Sequence, residues 1–414
     1  MNLFRSLLLV LAAAGSVRAA TLPGFRVETL ARADGFVSSL VTDSKGTIYF
    51  STTNGWIHRV DGTGSTKVAS LPTHSGGNGG LLGMALLDDD TAAVHYTAWN
   101  EGTGEMARVL DDVVSKVDLR TGAETVLHAF ACDIQHPERG ASSEHHGGNL
   151  TVAPDGSIFV GIGEYGDYII AQLPEWNAGK IWRIDPQGNA TQWARGMRNP
   201  YDLAWDPDRN AIVVSDNGPE GGDEIHVVAE GENGGWPHTW GNQPPHEGAV
   251  APAYVFEHTV APTGLQRLRG ANPMLLRGFL SAAFVTRGLY YFTPELSEAF
   301  PVIEGFDEFV LDVTEAPNGD IYLATAGGPT SSIQKLHVPR RGDCNGDGVA
   351  DTSDFASLND EIEDLGSHAV IRAQEGAHVG SWGCDANADG FIDNADLSAL
   401  RRIVMPRRRS VRSR

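Results

Sequence analysis

Residues 145–148 read His-His-Gly-Gly, and no other stretch of this 414-residue chain has that combination. An imidazole can take up or release a proton near neutral pH, and paired glycines let the backbone approach a flat ligand closely. A Pro-Asp-Gly turn at residues 154–156 and a short β-branched and aromatic run at 157–160 follow. The hairpin recurs along the chain but the histidine pair does not, which indicates a repeated frame that carries one site.

Two other interpretations of the histidine pair compete with catalysis. The pair could be a solvated part of a glycine-rich loop, or it could bind zinc. Zinc needs further ligands, and no third ligand stands at a suggestive spacing from residues 145–148. We therefore take proton transfer by His145 as the hypothesis to test.

The elements that must position this pair repeat along the chain. A strand, a turn and a second strand begin near residues 40, 150, 203 and 313, and weaker copies cover 84–117 and 278–292. These six units recur at intervals of roughly 40 to 60 residues, without a convincing helix between them. Four-stranded units of that size, repeated radially, are typical of a propeller. The sequence therefore predicts an all-β, six-bladed β-propeller over residues 21–338, with a β-sandwich or an open solenoid as the alternative.

Composition and the first residues limit where this protein acts and what it binds. Residues 1–20 combine Arg5, an apolar run and a small-residue cleavage pattern, which predicts a signal peptide and an exported, soluble mature protein. No later apolar run approaches the roughly 20 residues of a transmembrane segment. The formal net charge of −22 repels nucleic acid. We expect a secreted protein, periplasmic or extracellular, that binds no nucleic acid.

Two acidic loops with one spacing follow the propeller segment. Their positions 1, 3, 5, 7, 9 and 12 hold Asp343, Asn345, Asp347, Val349, Asp351 and Asp354 in the first loop, and Asp385, Asn387, Asp389, Phe391, Asp393 and Asp396 in the second. Oxygen ligands in this register, with Gly at position 6 and a backbone carbonyl at position 7, wrap Ca²⁺. Two loops in the same register are far more specific than one, although Asp replaces Glu at position 12 in both. The sequence therefore predicts two calcium sites.

With helices predicted at 355–365 and 397–404, residues 342–404 resemble a type I dockerin. The resemblance implies calcium-dependent folding and docking to a cohesin-like protein, with a solitary calcium-stabilised module as the alternative. Cys344 and Cys384 both lie in this module, so one disulfide is plausible in an oxidising compartment. Cys132 is expected to be a small buried hydrophobic residue. The Arg-rich tail at 405–414 is either a disordered basic end or an adhesive or sorting segment.

Several polar and glycine-rich loops accompany the histidine pair. They occupy residues 78–85, 196–200, 215–224 and 233–237. Taken in this order, they resemble the soluble glucose/sorbosone dehydrogenases, which use pyrroloquinoline quinone on a six-bladed propeller. The resemblance covers residues 21–338 and implies oxidation of a small sugar substrate, an aldose, at its anomeric carbon to a lactone.

The resemblance implies three catalytic roles. His145 matches the base that takes the proton of the anomeric hydroxyl, which suits an imidazole. Glu164 matches the acid that orients this base, where the family usually has Asp. Arg198 matches a residue that polarises the quinone oxygens and stabilises developing negative charge.

The resemblance also implies cofactor contacts. Asn199 joins Arg198 at the quinone oxygens, and Asn78 stands where a Gln commonly contacts the cofactor. Gly218 and Pro219 match backbone carbonyls that hold a Ca²⁺ against the quinone. The chemistry would be the cofactor's, with the protein supplying position and charge.

The cofactor clamp departs from the family pattern. Phe309 and Leu311 replace two arginines, and Thr286 replaces a lysine, which leaves the adjacent Arg287 as the candidate cation. Each bidentate arginine–carboxylate contact contributes about 1.5–3 kcal/mol. Losing two would weaken binding by roughly two orders of magnitude or more. The alternatives are a non-catalytic propeller that binds carbohydrate or protein, and an interaction scaffold displayed through the dockerin-like module.

Overall fold

The computed structural model describes residues 20–21, 25–100, 109–132, 135–136, 140–141, 144–272, 275, 277–328, 330–365, 369–370, 382–387, 389 and 391–405. Almost all of the predicted signal peptide and nearly all of the Arg-rich tail lie outside this part. The described chain forms two compact units, one mainly within 29–335 and the other mainly within 336–405. Among the described residues, no helix has both the length and the apolar character needed to cross a membrane.

The larger unit is a ring of six antiparallel blades, as predicted. The strands of the first three blades, from the innermost outward, are Val37–Thr42, Ile48–Thr52, Trp56–Asp61 and Gly64–Ser70; Leu81–Leu86, Thr91–Asn100, Val109–Asp118 and Glu124–Ala131; and Leu150–Val152, Ile158–Ile162, Lys180–Ile184 and Ala190–Arg195. Those of the fourth and fifth are Pro200–Asp206, Ala211–Asp216, Glu224–Val228 and Tyr254–Val255; and Pro262–Arg267, Phe279–Ala283, Gly288–Phe292 and Ala299–Glu304.

The sixth blade closes the ring. It contains Phe309–Glu315, Ile321–Ala326 and Thr330–His337, and its outermost strand is Arg26–Asp34 from the beginning of the propeller segment. This closing strand was not predicted from the sequence. Ala31 and Ala33 are buried while their neighbours Arg32 and Asp34 are exposed. The alternation of small apolar and charged residues in the sequence was the available indication of a strand.

The hydrophobic core lies in layers between neighbouring blades. One layer joins Leu40 and Phe50 of the first blade to Leu311 of the sixth. Another joins the second blade to the third and contains Cys132, which is buried as predicted. Burying one such aliphatic or aromatic side chain contributes roughly 1.5–3 kcal/mol. Each blade therefore depends on its neighbours, which makes the ring a rigid frame for a site.

A bulge in the innermost strand positions residues at one end of the ring. The pairing register slips within this strand in five blades, at Ser38, Leu82, Tyr201, Thr263 and Leu311 or directly beside them. Bulges re-aim side chains, and all of these residues except Leu311 line a common cleft. The repeated irregularity therefore creates the cleft, and its lining differs from blade to blade.

The remaining ring elements are short. They are the 3₁₀ helix Tyr168–Gln172 and the two-residue strands Gln135–His136 and Gly140–Ala141. The described chain also contains a strand at Ala20–Thr21.

The smaller unit contains the two acidic loops. Helices Asp354–Leu365 and Asn394–Val404 follow them, the 3₁₀ helix Trp382–Cys384 precedes the second loop, and the short strands are Ala369–Val370 and Phe391–Ile392. Both predicted helices are confirmed, the second beginning earlier than expected because Asp393 caps it with its side chain. The expected disulfide joins Cys344 to Cys384.

Candidate active site

The third blade brings His145 and Glu164 together. His145 precedes the innermost strand and Glu164 follows the second, and Leu150 pairs with Val160 across these antiparallel strands. Both residues consequently emerge at the same edge of the blade. Nδ1 of His145 lies 2.5 Å from Oε1 of Glu164, and the two side chains are 15% and 3% exposed. The sequence-predicted base and its partner therefore form a hydrogen-bonded pair, here called the dyad.

Trp236 fixes the second oxygen of the dyad carboxylate. Its indole Nε1 donates to Oε2 of Glu164 at 2.6 Å. The centre of the Trp236 ring is 5.6 Å from Cζ of Arg198, within cation–π range. Both oxygens of Glu164 are therefore committed, and its orientation toward His145 is defined from the fourth blade.

The two glycines after the histidines allow close backbone packing. A Cβ on Gly147 would overlap the carbonyl oxygen of Gly161, and a Cβ on Gly148 would overlap that of Tyr201. Gly147 also has φ +80°, which disfavours other residues. Gly147 is thus required by packing within the third blade, and Gly148 by the packing of this loop against the fourth.

Arg198 and Asn199 are held by Asp216. Their backbone amides donate to Oδ2 and Oδ1 of Asp216 at 2.9 and 2.7 Å. Nη1 of Arg198 donates to the carbonyl of Asn217 at 2.8 Å, and Oδ1 of Asn199 accepts from the Gly147 amide at 3.1 Å. The predicted Arg-Asn pair is therefore tied to the histidine loop.

Asp216 belongs to a buried group with Glu224 and His226. Within the described chain, these are the only His, Asp, Glu or Cys side chains clustered tightly enough to hold a metal. All four carboxylate oxygens already have protein donors, because Glu224 accepts from Gly241 and lies 2.7 Å from His226. Burial raises the pKa of Asp216 to about 7, against the opposing effect of His226. We therefore assign this group to anchoring the Arg198–Asn199 backbone.

The two glycines that follow the histidine pair line a cleft of 540 Å³, whereas His145 and Glu164 are not among its lining residues. Its lining includes the predicted residues Asn78 and Asn199, together with Asn217 and the Gly147–Gly148 backbone. Side-chain amides and free backbone groups of this kind can contact the oxygens and nitrogens of a flat ligand. The structure thus brings both predicted asparagines to the same cleft.

The other side of the cleft is aromatic. Phe36 and Phe284 line it, and Phe309 stacks on Phe284 with ring centres 4.3 Å apart. Cζ of Arg287 lies 4.8 Å from the centre of the Phe309 ring, and Arg287 is not among the lining residues. Leu311 is 1% exposed and belongs to the core. A cofactor contact by Arg287 stays a prediction.

The Gly218–Pro219 segment forms a tight turn. The Gly218 amide donates to Oδ1 of Asp223 at 3.1 Å, and the Pro219 carbonyl accepts from Gly222 at 2.8 Å. Since a carbonyl oxygen has two lone pairs, Pro219 keeps one for another partner. Calcium binding by these carbonyls stays a prediction.

The two acidic loops adopt matching hydrogen-bond patterns. The carboxylate at position 12, Asp354 or Asp396, accepts the amides of positions 3 and 9, at 3.0 and 2.7 Å in the first loop and 3.0 and 2.9 Å in the second. Oδ1 of Asp343 is buried and has no hydrogen-bond partner in the described part of the chain. Burial raises the pKa of Asp343, and it raises that of Asp396 to about 6. Neither carboxylate has a positive partner among the described residues, so this arrangement fits calcium.

Sequence reasoning missed three residues that organise the candidate site. Trp236 and Asp216 both lie in loops that the sequence indicated, at 233–237 and 215–224, but neither residue was assigned a role. Asp112 lies in the strand Val109–Asp118, where a fully buried carboxylate interrupts an apolar run. A charged residue at a position expected to be buried was the available signal.

Two family models match this chain. One described as glucose/sorbosone dehydrogenase matches residues 29–334, and one described as dockerin type I domain matches residues 341–405. The aldose sugar dehydrogenase YliI of Escherichia coli (strain K12) is 32% identical over 188 residues, 40% of this chain and 48% of that protein. Quinoprotein glucose dehydrogenase B of Acinetobacter calcoaceticus is 28% identical over 132 residues, 24% of this chain and 27% of that protein. The chain spans about half the length, or less, of these curated relatives.

Solved structures show the same fold. The soluble aldose sugar dehydrogenase of Escherichia coli in its apo form has a TM-score of 0.65 at 20% identity, covering 76% of this chain and 99% of that one. The aldose sugar dehydrogenase of Streptomyces coelicolor in its PQQ-bound form has a TM-score of 0.61 at 22% identity, covering 77% and 100%. With the family match over most of the propeller and the second match over the acidic loops, this chain belongs to the glucose/sorbosone dehydrogenase family and carries a C-terminal dockerin type I domain.

Proposed function

We propose that this protein is an exported sugar dehydrogenase that oxidises the anomeric carbon of an aldose to a lactone, with pyrroloquinoline quinone as its redox cofactor. The observation that carries the proposal is the dyad beside the cleft, in which Glu164 orients His145 at 2.5 Å and Trp236 orients Glu164. A solvated histidine pair would not need a buried carboxylate held at both oxygens.

The geometry of the dyad suits general-base catalysis. Nδ1 of His145 faces an acceptor, so this nitrogen carries the proton and Nε2 keeps its lone pair. Nε2 then takes the proton of the anomeric hydroxyl while the C1–H bond breaks with its electron pair and the C1=O bond of the lactone forms. Arg198 stabilises the negative charge that develops as the hydride leaves. When bound, pyrroloquinoline quinone supplies the hydride acceptor.

The residues of the cleft fit the quinone's ring system better than its carboxylates. Asn78 and Asn199 line one side, and Phe284, with Phe309 stacked on it, offers an aromatic ring on the other. The positions where relatives of this family have clamp arginines hold Phe309 and Leu311. We therefore expect binding that depends more on stacking and less on charge.

Reconstitution tests this function. The purified full chain is titrated with pyrroloquinoline quinone in excess Ca²⁺, a panel of aldoses is added, and dye reduction and lactone formation are followed. Saturable binding with aldose-dependent reduction and one lactone per dye equivalent is expected. Absence of binding at micromolar quinone would overturn the assignment.

A non-catalytic propeller that binds carbohydrate or protein is the second candidate. The aromatic side of the cleft favours it, because stacked rings also bind sugar faces without any redox cofactor. Calorimetry with aldoses and oligosaccharides in the absence of quinone separates the two functions. Sugar binding that is unaffected by quinone, with no dye reduction, would support the non-catalytic propeller.

We further propose that the dockerin domain binds Ca²⁺ at both loops and docks to a cohesin-like protein outside the cell. The buried, unpartnered Oδ1 of Asp343 and the matching loops support calcium binding. Pull-down by cohesin-like domains is expected in Ca²⁺ and lost in EDTA or in the Asp354→Ala, Asp396→Ala double variant. Melting that is unchanged by EDTA would contradict the calcium assignment. Export is tested by sequencing the mature N-terminus, expected after Ala19 or Ala20.

A further inference from the structure

A fully buried carboxylate lies beneath the loop that carries His145. Asp112, on the third strand of the second blade, contacts three side chains. Its Oδ1 lies 3.0 Å from Nε2 of His95, and its Oδ2 accepts from the Tyr165 hydroxyl at 2.7 Å and lies 3.0 Å from Nδ1 of His146. Asp112, His95 and His146 are 0% exposed. We call these four residues the Asp112 cluster.

Two members of the Asp112 cluster adjoin the dyad in sequence. His146 follows His145, Tyr165 follows Glu164, and both contact the same oxygen of Asp112. A single oxygen atom of the second blade therefore contacts the residue that follows each member of the dyad. A third contact fixes the loop beyond them, because Nδ1 of His95 lies 2.8 Å from the carbonyl oxygen of Gly148.

The backbone at the dyad needs such support. His145 has φ 50° and Tyr165 has φ 55°, so both adopt the left-handed conformation that non-glycine residues rarely take. Residues in such conformations persist when the surrounding structure over-determines them, and they cluster at functional sites. The contacts to Asp112 lie at one of these residues and directly beside the other.

The charge balance of the cluster supports a rigid role. Burial disfavours the ionised carboxylate of Asp112, but His146 and His95 outweigh burial and hold its pKa below the usual value. An ionised carboxylate accepts from all three partners at once, whereas a protonated one would lose an acceptor. Hydrogen bonds to a charged group are also stronger than those between neutral groups.

We propose that Asp112 is a positioning residue for the dyad, which sets the spacing and orientation of His145 and Glu164 through the residues that follow each of them. This inference rests on the proposed function of His145 as the base. Asp112 itself touches neither substrate nor cofactor, and it acts through His146, Tyr165 and the Gly148 carbonyl.

Kinetics of the reconstituted full chain test the positioning role. In Asp112→Asn, kcat should fall on the order of 100-fold, because small misplacements of a catalytic group cost that much. Tyr165→Phe removes one hydroxyl contact and should lower kcat about fivefold. The KM for the aldose and the Kd for pyrroloquinoline quinone should stay unchanged, since neither variant alters the cleft lining. A purely structural role would instead lower the melting temperature and leave kcat of the folded fraction unchanged.

Glu124→Gln is the matched control. Glu124 also lies in the second blade and accepts hydroxyls from Tyr96 at 2.5 Å and Ser115 at 2.7 Å. Within the described part of the chain it forms no hydrogen bond or ion pair with residues 145–165, so its variant should destabilise the blade without changing kcat. An equal loss of kcat in Glu124→Gln and Asp112→Asn would overturn the proposal.

A second readout does not depend on turnover. In selectively ¹⁵N-histidine-labelled protein without cofactor, NMR should show His145 as one tautomer with the proton on Nδ1. Asp112→Asn should show mixed tautomers, and Tyr165→Phe a smaller change. If the wild type oxidises no aldose, the proposed function fails while this spectrum still tests positioning. A single, unchanged His145 tautomer in both folded variants would overturn the inference.

Discussion

Different kinds of residue lie beyond the two sides of the cleft. On the side of the third and fourth blades, His145, Glu164 and Arg198 form a network of charged and polar contacts with Trp236. On the side of the fifth, sixth and first blades, Phe284 stacks on Phe309. The ring centre of Phe36 lies 6.4 Å from that of Phe284. We call these the dyad side and the aromatic side.

The difference separates two requirements of a dehydrogenase. Proton transfer needs fixed geometry and charge, and the dyad side supplies both. Holding a tricarboxylate cofactor needs cations, and the aromatic side offers ring faces instead. If the proposed function holds, the dyad side supplies the residues for proton transfer, and the aromatic side binds the cofactor through ring faces in place of cations.

The largest effect should come from His145→Ala. Without the base, kcat should fall on the order of 10³-fold, since general-base catalysis contributes typically 10²–10⁴-fold. The Kd for pyrroloquinoline quinone should not change, which separates chemistry from binding. Steady-state kinetics and calorimetry measure the two. His246→Ala, which removes an exposed imidazole, should keep wild-type kcat; full activity in His145→Ala would refute the role of the dyad.

Arg198→Met should have the next largest effect. It keeps an unbranched side chain and removes the guanidinium that lies over Trp236, so kcat should fall on the order of 100-fold. Arg183→Met is the control. Arg183 forms an ion pair with Asp155 at 2.7 Å, and neither residue lines the cleft. If both variants retain wild-type kcat, charge stabilisation lies elsewhere.

A cation placed on the aromatic side should strengthen cofactor binding. Phe309→Arg would restore one guanidinium, and the Kd for pyrroloquinoline quinone should fall about tenfold. Phe309→Leu, which loses the stack with Phe284 and adds no charge, should weaken binding. Fluorescence titration measures both. A Kd that rises equally in the two variants would show that stacking alone holds the ligand.

The smallest effect should be a change in stability when Asp312 is replaced. Asp312 lies in the same strand as Phe309 of the aromatic side. Burial raises the pKa of Asp312 from 3.8 to about 7, although the amides of Val313 and Leu40 oppose the shift. The folded state therefore holds this proton more tightly than the unfolded state, and its stabilisation is lost as the pH rises from about 4 through 7. Asp312→Asn should show a smaller fall in melting temperature between pH 5 and pH 8, by a few degrees. An unchanged pH dependence would contradict this assignment.

Features confined to one stretch of sequence were predictable. The six hairpin units, both acidic loops and the helices after them each lie within one segment, so local patterns reveal them. The contact between His145 and Glu164 was expected from the family resemblance, and the pairing of Leu150 with Val160 explains it. The closing strand Arg26–Asp34 was missed because its partner lies at the other end of the propeller segment.

Features assembled from different blades were not predictable. Asp112 joins the second blade to the residues that follow His145 and Glu164, and Trp236 contacts Glu164 from the fourth blade. Each is a single residue whose partner is defined only once the ring closes. The aromatic side illustrates the same limit, since the sequence shows the missing arginines but not the stacking of Phe309 on Phe284.

The most direct test of the account is a single-turnover measurement with an aldose deuterated at C1. The reconstituted protein is mixed with protonated or C1-deuterated sugar, and reduction of the bound quinone is followed before any external acceptor is added. We predict that reduction is sugar-dependent, slowed by deuterium at C1, and lost in His145→Ala. Quinone reduction that is insensitive to the sugar, to C1 deuteration and to His145→Ala would contradict the dehydrogenase mechanism.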